Sequence, residues 1–125
     1  MNKIIFILVL SLTCTEVMAI TFDECTASSS KMNAKLPIMA DKYTMLENTT
    51  CFKDVDNNLV FRFMFKLLAK ADTSQKYISK QTTLVRNKLC SMNRKQLKKI
   101  DYEYSYFDTE GNNLFNVRVS DKDCK

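Results

Sequence analysis

Two pairs of carboxylates stand close enough in the chain to act together. Asp101 and Glu103 are two apart in an alternating segment, so both project from one face of a strand. Asp108 and Glu110 sit at a turn. Hydrolysis of a glycosidic bond needs two carboxyls about 5–9.5 Å apart in a cleft. The plainer reading is a solvated strand edge and turn chemistry, where most such pairs belong. Tyr102, Tyr104 and Tyr106 interleave with the first pair and could stack sugars or bases. An alternating aromatic row more often faces a core, and the same logic applies to Phe61, Phe63 and Phe65. No catalytic residue is assigned.

The remaining inventory excludes more than it offers. The chain has no histidine, which removes Ser-His-Asp and Cys-His nucleophile pairs and histidine-containing zinc sites. Its single glycine, Gly111, cannot build a phosphate-cradling loop. Cys25, Cys51, Cys90 and Cys124 are widely spaced, unlike the close pairs of a four-cysteine zinc site. No metal and no cofactor is expected. The strongest surface signal is basic: from Ser74 to Ile100 there is no carboxylate. Over that stretch Lys76, Lys80, Arg86, Lys88, Arg94, Lys95, Lys98 and Lys99 accumulate. Lys88, Arg94, Lys95, Lys98 and Lys99 are the candidate patch for an acidic partner or another anionic surface, against the alternative of a solvated helix face. Nucleic acid is not expected, because no binding module for it is recognisable. Asn48-Thr49-Thr50 fits a glycosylation sequon, to which no role is given.

The elements that would carry these residues follow from periodicity. Phe22, Cys25, Met32 and Leu36, with Ser29 neutral, form one helical stripe, with Asp23 as cap and Pro37 as terminator. Tyr43 to Phe52 reads as a strand, residues 54–58 as a turn, and Leu59 to Lys66 as a second strand. Asp72 or Thr73 opens a long helix whose face holds Tyr77, Ile78, Leu84, Val85, Leu89 and Met92, with Gln81 neutral. Leu97 and Ile100 mark a further short turn. A second hairpin follows, with Gly111 supplying the positive-φ position of its turn. The order helix, hairpin, helix, hairpin predicts an α+β fold: a mainly antiparallel four-stranded sheet packed with helices.

The N-terminus reads as an export signal. Lys3 precedes an apolar run from Ile4 to Leu10, extended by Leu12. A polar step, Thr13-Cys14-Thr15-Glu16, leads to Val17-Met18-Ala19. The run is shorter than the roughly 20 residues of a membrane-spanning helix. Cleavage is expected after Ala19, leaving residues 20–125 as a single domain with no transmembrane segment, periplasmic or secreted. Cleavage before a lipidated Cys14 is the alternative, but Leu12 stands where a small residue is wanted. Loss of Lys3 with Glu16 leaves the net charge at +5. Four cysteines in an exported chain imply disulfides, with three connectivities open. Pairing neighbours in the proposed fold favours Cys25–Cys51 and Cys90–Cys124.

Several signals come in a familiar order. After the leading helix come Leu36-Pro37-Ile38 and a strand opened by Tyr43-Thr44. Cys90 closes a helix, Ile100-Asp101-Tyr102 opens a strand, and Cys124 closes the last one. Over residues 34–124 this resembles the β-class, AspS-type pilotins of type II secretion systems. The resemblance implies an α/β sandwich with one disulfide, matching Cys90–Cys124. It further implies binding of a helical tail of the secretin subunit on its way to the outer membrane. Cys25 and Cys51 stand outside that pattern. The expected function is a non-enzymatic exported domain that binds another envelope protein. The competing readings are an inhibitor or immunity protein against another exported protein, and a small Asp/Glu-dependent hydrolase.

Overall fold

The computed structural model describes residues 21–69 and 74–124. The expected export signal, with Cys14, and the expected helix cap at Asp72 or Thr73 lie outside the described residues.

Helix α1 spans Phe22–Asn33 and starts from Thr21. The Thr21 hydroxyl accepts from the Glu24 amide at 3.1 Å and the Glu24 carboxylate accepts from the Thr21 amide at 2.9 Å. This reciprocal box satisfies two amides that a helix start leaves open. Asp23, expected as the cap, instead lies in the first turn, where the helix dipole favours negative charge. Of the expected stripe, Cys25 and Ser29 are buried and Phe22 is exposed. The helix ends before Leu36, and the chain passes a cis Leu36–Pro37 bond into the sheet.

The sheet has five strands rather than four: β1 (Ile38–Asp41), β2 (Thr44–Lys53), β3 (Leu59–Leu67), β4 (Asp101–Phe107) and β5 (Asn113–Val119), in that spatial order. β1 is four residues long, too short to display a period of two, and this hid it in the sequence. The two-residue link Lys42-Tyr43 pairs it with β2. Three of the pairings are antiparallel, but β3 and β4 run parallel. The reason is the crossover. Helix α2 (Gln75–Met92) and the short α3 (Arg94–Leu97) carry the chain back to the end where β3 began. Ser74 caps α2 by accepting from the Tyr77 amide at 3.3 Å. A 3₁₀ turn, Asp121–Asp123, follows β5.

The two hairpin turns, residues 54–58 and 108–112, are built alike. The carboxylate of Asp54 accepts from the amides of Asp56 and Asn58, both at 2.9 Å. That of Asp108 accepts from Glu110 at 2.9 Å and Asn112 at 2.8 Å. In each, the fourth residue has positive φ: Asn57 at 65° and Gly111 at 87°. Gly111 fills the role read for it, and Asn57 is its counterpart, tolerated because a short amide side chain accepts that conformation.

Cross-strand partners share a face, so the registers define three apolar rungs. They are Leu46–Phe65–Tyr106–Phe115, Thr49–Phe63–Tyr104–Val117 and Cys51–Phe61–Tyr102–Val119. The tyrosine row thus faces the core, as its alternation implied. Both long helices cover this face: α1 lies on β2 and α2 on β5. Val85 and Leu89 of α2, Leu97 of α3 and Ile100 are buried with the rungs.

Candidate functional site

The opposite face of the sheet holds the carboxylates that catalysis would need, and ion pairs already engage them. Glu103 meets Arg62, whose guanidinium also lies 4.4 Å above the Phe52 ring. Arg118 reaches Asp54 at 2.6 Å and Asp101 at 2.8 Å. Lys66 pairs with Glu47 at 2.7 Å. Asp101 and Glu103 are therefore neighbours on one face, as predicted, each occupied by a guanidinium. Asp108 and Glu110 meet only in the turn, where the Asp108 carboxylate is bonded to the loop backbone. Hydrogen bonds from Asn58 and then Arg118 hold the Asp54 carboxyl down at about 2. Those from Asn112 lower that of Asp108. Both shifts favour the ionised form, whereas a proton donor at neutral pH needs a raised value.

On the helix-covered face the aromatic rungs stack closely. Tyr106 lies 4.6 Å from Phe115 and 5.2 Å from Phe65 between ring centroids, and Tyr104 lies 5.4 Å from Phe63. Burial pushes the phenols of Tyr104 and Tyr106 upward, keeping both neutral. The Tyr104 hydroxyl is sealed from solvent with no hydrogen-bond partner among the described residues. These rings form a packed floor, leaving them no open surface on which to stack sugars or bases.

Helix α1 is fixed to the edge of the sheet by a device that the sequence reading missed. Asn33 accepts from the Thr49 amide at 2.8 Å and donates to the Thr49 carbonyl at 3.0 Å. Both backbone groups of Thr49 are thus used on the side of β2 that β1, whose pairing ends at Leu46, leaves open. One side-chain amide stands in for the missing strand. The Thr49 hydroxyl lies 2.7 Å from that of Ser29. Two residues further along, Cys51 pairs with Cys25 of α1, their Cα atoms 6.0 Å apart. Cys90 pairs with Cys124, at 5.4 Å, tying the end of α2 to the chain beyond β5. Both pairings are the ones expected. Asn33 carried only one signal, its place where a helix stripe ends, and a strand edge in need of a cap is not visible without the pairing.

Where β2 begins and β3 leaves, and along β1 and the α1–β1 link beside them, apolar side chains remain only partly covered. Leu36, Ile38 and Leu67 are half-buried against the core. Tyr43 and Leu68 are exposed and adjacent, the Leu68 amide donating to the Tyr43 carbonyl at 2.8 Å. This rim is the surface that the sequence did not mark, because its residues come from the α1–β1 link, β1, the β1–β2 turn and the end of β3. A shallow depression of about 430 Å³ on α2, lined by Ser79, Lys80, Thr83, Leu84 and Asn87, brings no second charged group to Lys80.

The residues of the basic candidate patch lie at the far end of α2 and on or just after α3. Lys88, Lys95, Lys98 and Lys99 are exposed. Arg94 is partly buried and bound to Asp121 at 2.7 Å, so its charge is compensated. Among the described residues no three His, Cys, Asp or Glu side chains come together as a metal site, and no helix is long and apolar enough to cross a membrane.

No family model and no curated protein matches the sequence. A solved structure does match the fold: EpsS, the pilotin of the Vibrio vulnificus type 2 secretion system. The superposition has a TM-score of 0.52, covers 83% of this chain and 91% of the pilotin, and pairs residues that are 16% identical. At that identity the likeness is one of fold.

Proposed function

We propose that this chain is a non-enzymatic, pilotin-like binding protein of the bacterial cell envelope, and that it holds a helical segment of a secretion-system component. The observation that carries this reading is the fold shared with a pilotin over most of both chains. The partly covered rim of Leu36, Ile38, Tyr43, Leu67 and Leu68 supports it, since an amphipathic helix needs an apolar surface on which to lay its own apolar face. The ion-paired carboxylates of the open face favour binding over hydrolysis. The paired cysteines and the N-terminal signal pattern fit an exported chain.

The test is a titration with a labelled peptide from the C-terminal tail of the organism's own type II secretin subunit. Binding should survive high salt, because apolar contacts carry it. It should fail when Leu36 and Leu68 are both changed to Asp in a chain that still folds. A peptide bound equally by the native and changed proteins, or bound by neither, would sink the reading. Release by moderate salt would move the contact to the basic patch and count against an apolar rim.

A further inference from the structure

We infer that the α2–α3 end of the molecule docks on an anionic phospholipid surface, with the lysines on the headgroups and Met92 dipping between them. Residues 74–100 carry eight basic side chains and no carboxylate. On the open face of the sheet Arg62, Lys66 and Arg118 are all ion-paired. At this end Arg94 is paired with Asp121, while Lys95, Lys98 and Lys99 are exposed and have no ion pair among the described residues. Leu97 and Ile100 are 2% and 4% exposed, so the segment bearing these lysines is pinned to the core rather than loose.

The chemistry favours a lipid surface over an acidic protein. The exposed cations at this end are lysines, which are strongly hydrated point charges on flexible stems. They suit a diffuse layer of headgroups better than the forked pairing that arginine makes with a fixed carboxylate. A protein interface would need a buried aromatic or arginine anchor. The one large apolar side chain exposed in this stretch is Met92, at 49%, between Lys88 and Lys95. An exposed apolar side chain flanked by lysines in the sequence suits a peripheral membrane contact. The topology leaves room for it. The rim lies at the end of the sheet where α2 starts, beside Phe115, which touches Tyr77. Met92 and α3 lie at the other end, beside the Cys90–Cys124 bridge. A bilayer and a partner helix could be held at once, and neither needs the other.

Vesicle flotation with the protein as recovered from cells tests this. One lipid set is phosphatidylcholine alone, the other phosphatidylcholine with phosphatidylglycerol in about equal parts. The native protein should float only with the anionic vesicles, and should come off in about 1 M salt, where screening acts within about 3 Å. Each lysine near an anionic surface is worth about a fivefold gain in partitioning, so K95E/K98E/K99E should lose about a hundredfold or more. Met92→Ser should weaken binding severalfold and leave its salt dependence intact. Comparing native and variant chains cancels whatever the N-terminus contributes, and unchanged thermal unfolding shows that the variants fold. Equal flotation with both vesicle types, or an undiminished triple variant, would overturn the proposal. Salt-sensitive capture of an acidic polypeptide without flotation would overturn it too. Secretin-tail binding, measured on the same triple variant, should be unchanged, so the two readings can fail separately.

Discussion

A hydroxyl sealed in a core without a partner has lost its water and gained nothing for it. Tyr104 is such a residue among the described ones. An unsatisfied buried polar group costs about 1–3 kcal/mol, so Tyr104→Phe should stabilise the fold by an amount of that order in urea unfolding. A destabilised variant would mean that the hydroxyl has a partner after all. The twin turns allow a sharper comparison. Nothing lies within 4 Å of where a Cβ on Gly111 would sit, so only its positive φ resists substitution. Gly111→Val should cost about 1–2 kcal/mol, whereas Gly111→Asn should be nearly neutral, because Asn57 already does that work in the other turn. Asp54 makes the fold sensitive to acid. Its carboxyl titrates at about 2 in the folded chain, below its ordinary value. The stabilisation is therefore complete above about pH 4 and drains away as the pH falls toward 2. Asp54→Asn keeps an oxygen for the turn but no titrating charge. In thermal unfolding followed against pH, it should flatten that part of the decline.

At the scale of elements, α1 is tied to β2 by the hydrogen bonds of Asn33 and Ser29 with Thr49 as well as by the Cys25–Cys51 bridge. Asn33→Ala would leave the amide and carbonyl of Thr49 to solvent or to nothing, and should cost about 1–3 kcal/mol by chemical denaturation. Replacing Cys90 and Cys124 by Ser should lower stability by about 2–5 kcal/mol. Non-reducing peptide mapping should recover the same two cysteine pairs as the structure. Much of this level was legible in the residue order. Alternation in residues 59–66 and 101–106 marked central strands, the turn residues marked both hairpins, and the apolar face of α2 gave its core side. What escaped was what depends on neighbours in space. β1 has too few residues for a pattern, and the cap at Thr21 won over Asp23 because Glu24 completes a reciprocal box with it. The rim draws its residues from the α1–β1 link, β1, the β1–β2 turn and the end of β3, so no single segment announces it. The lysines on and just after α3 were visible as charge. That Arg94 is compensated by Asp121 became visible only in the structure.

For the whole molecule, export is the first matter to test. N-terminal sequencing of the protein recovered from the envelope should begin at Ile20, while a start at Cys14 with the added mass of a lipid would reassign it as a lipoprotein. The sheet itself has a seam. Each hairpin closes through a short turn, yet the hairpins meet only along β3 and β4, which are parallel and joined through the α2 crossover. Contacts distant in sequence are slow to find, because a long loop must be ordered before they form. The hairpins should therefore assemble early, and the rate of folding should be set by the search for this central pairing. Conservative truncations along the seam, at Phe63 or Val60, would slow refolding in stopped-flow experiments. Changes in the 108–112 turn, which closes before that step, should likewise slow refolding and leave the unfolding rate nearly unchanged. The order in which the chain comes together is thus written into the one place where two neighbouring strands run the same way.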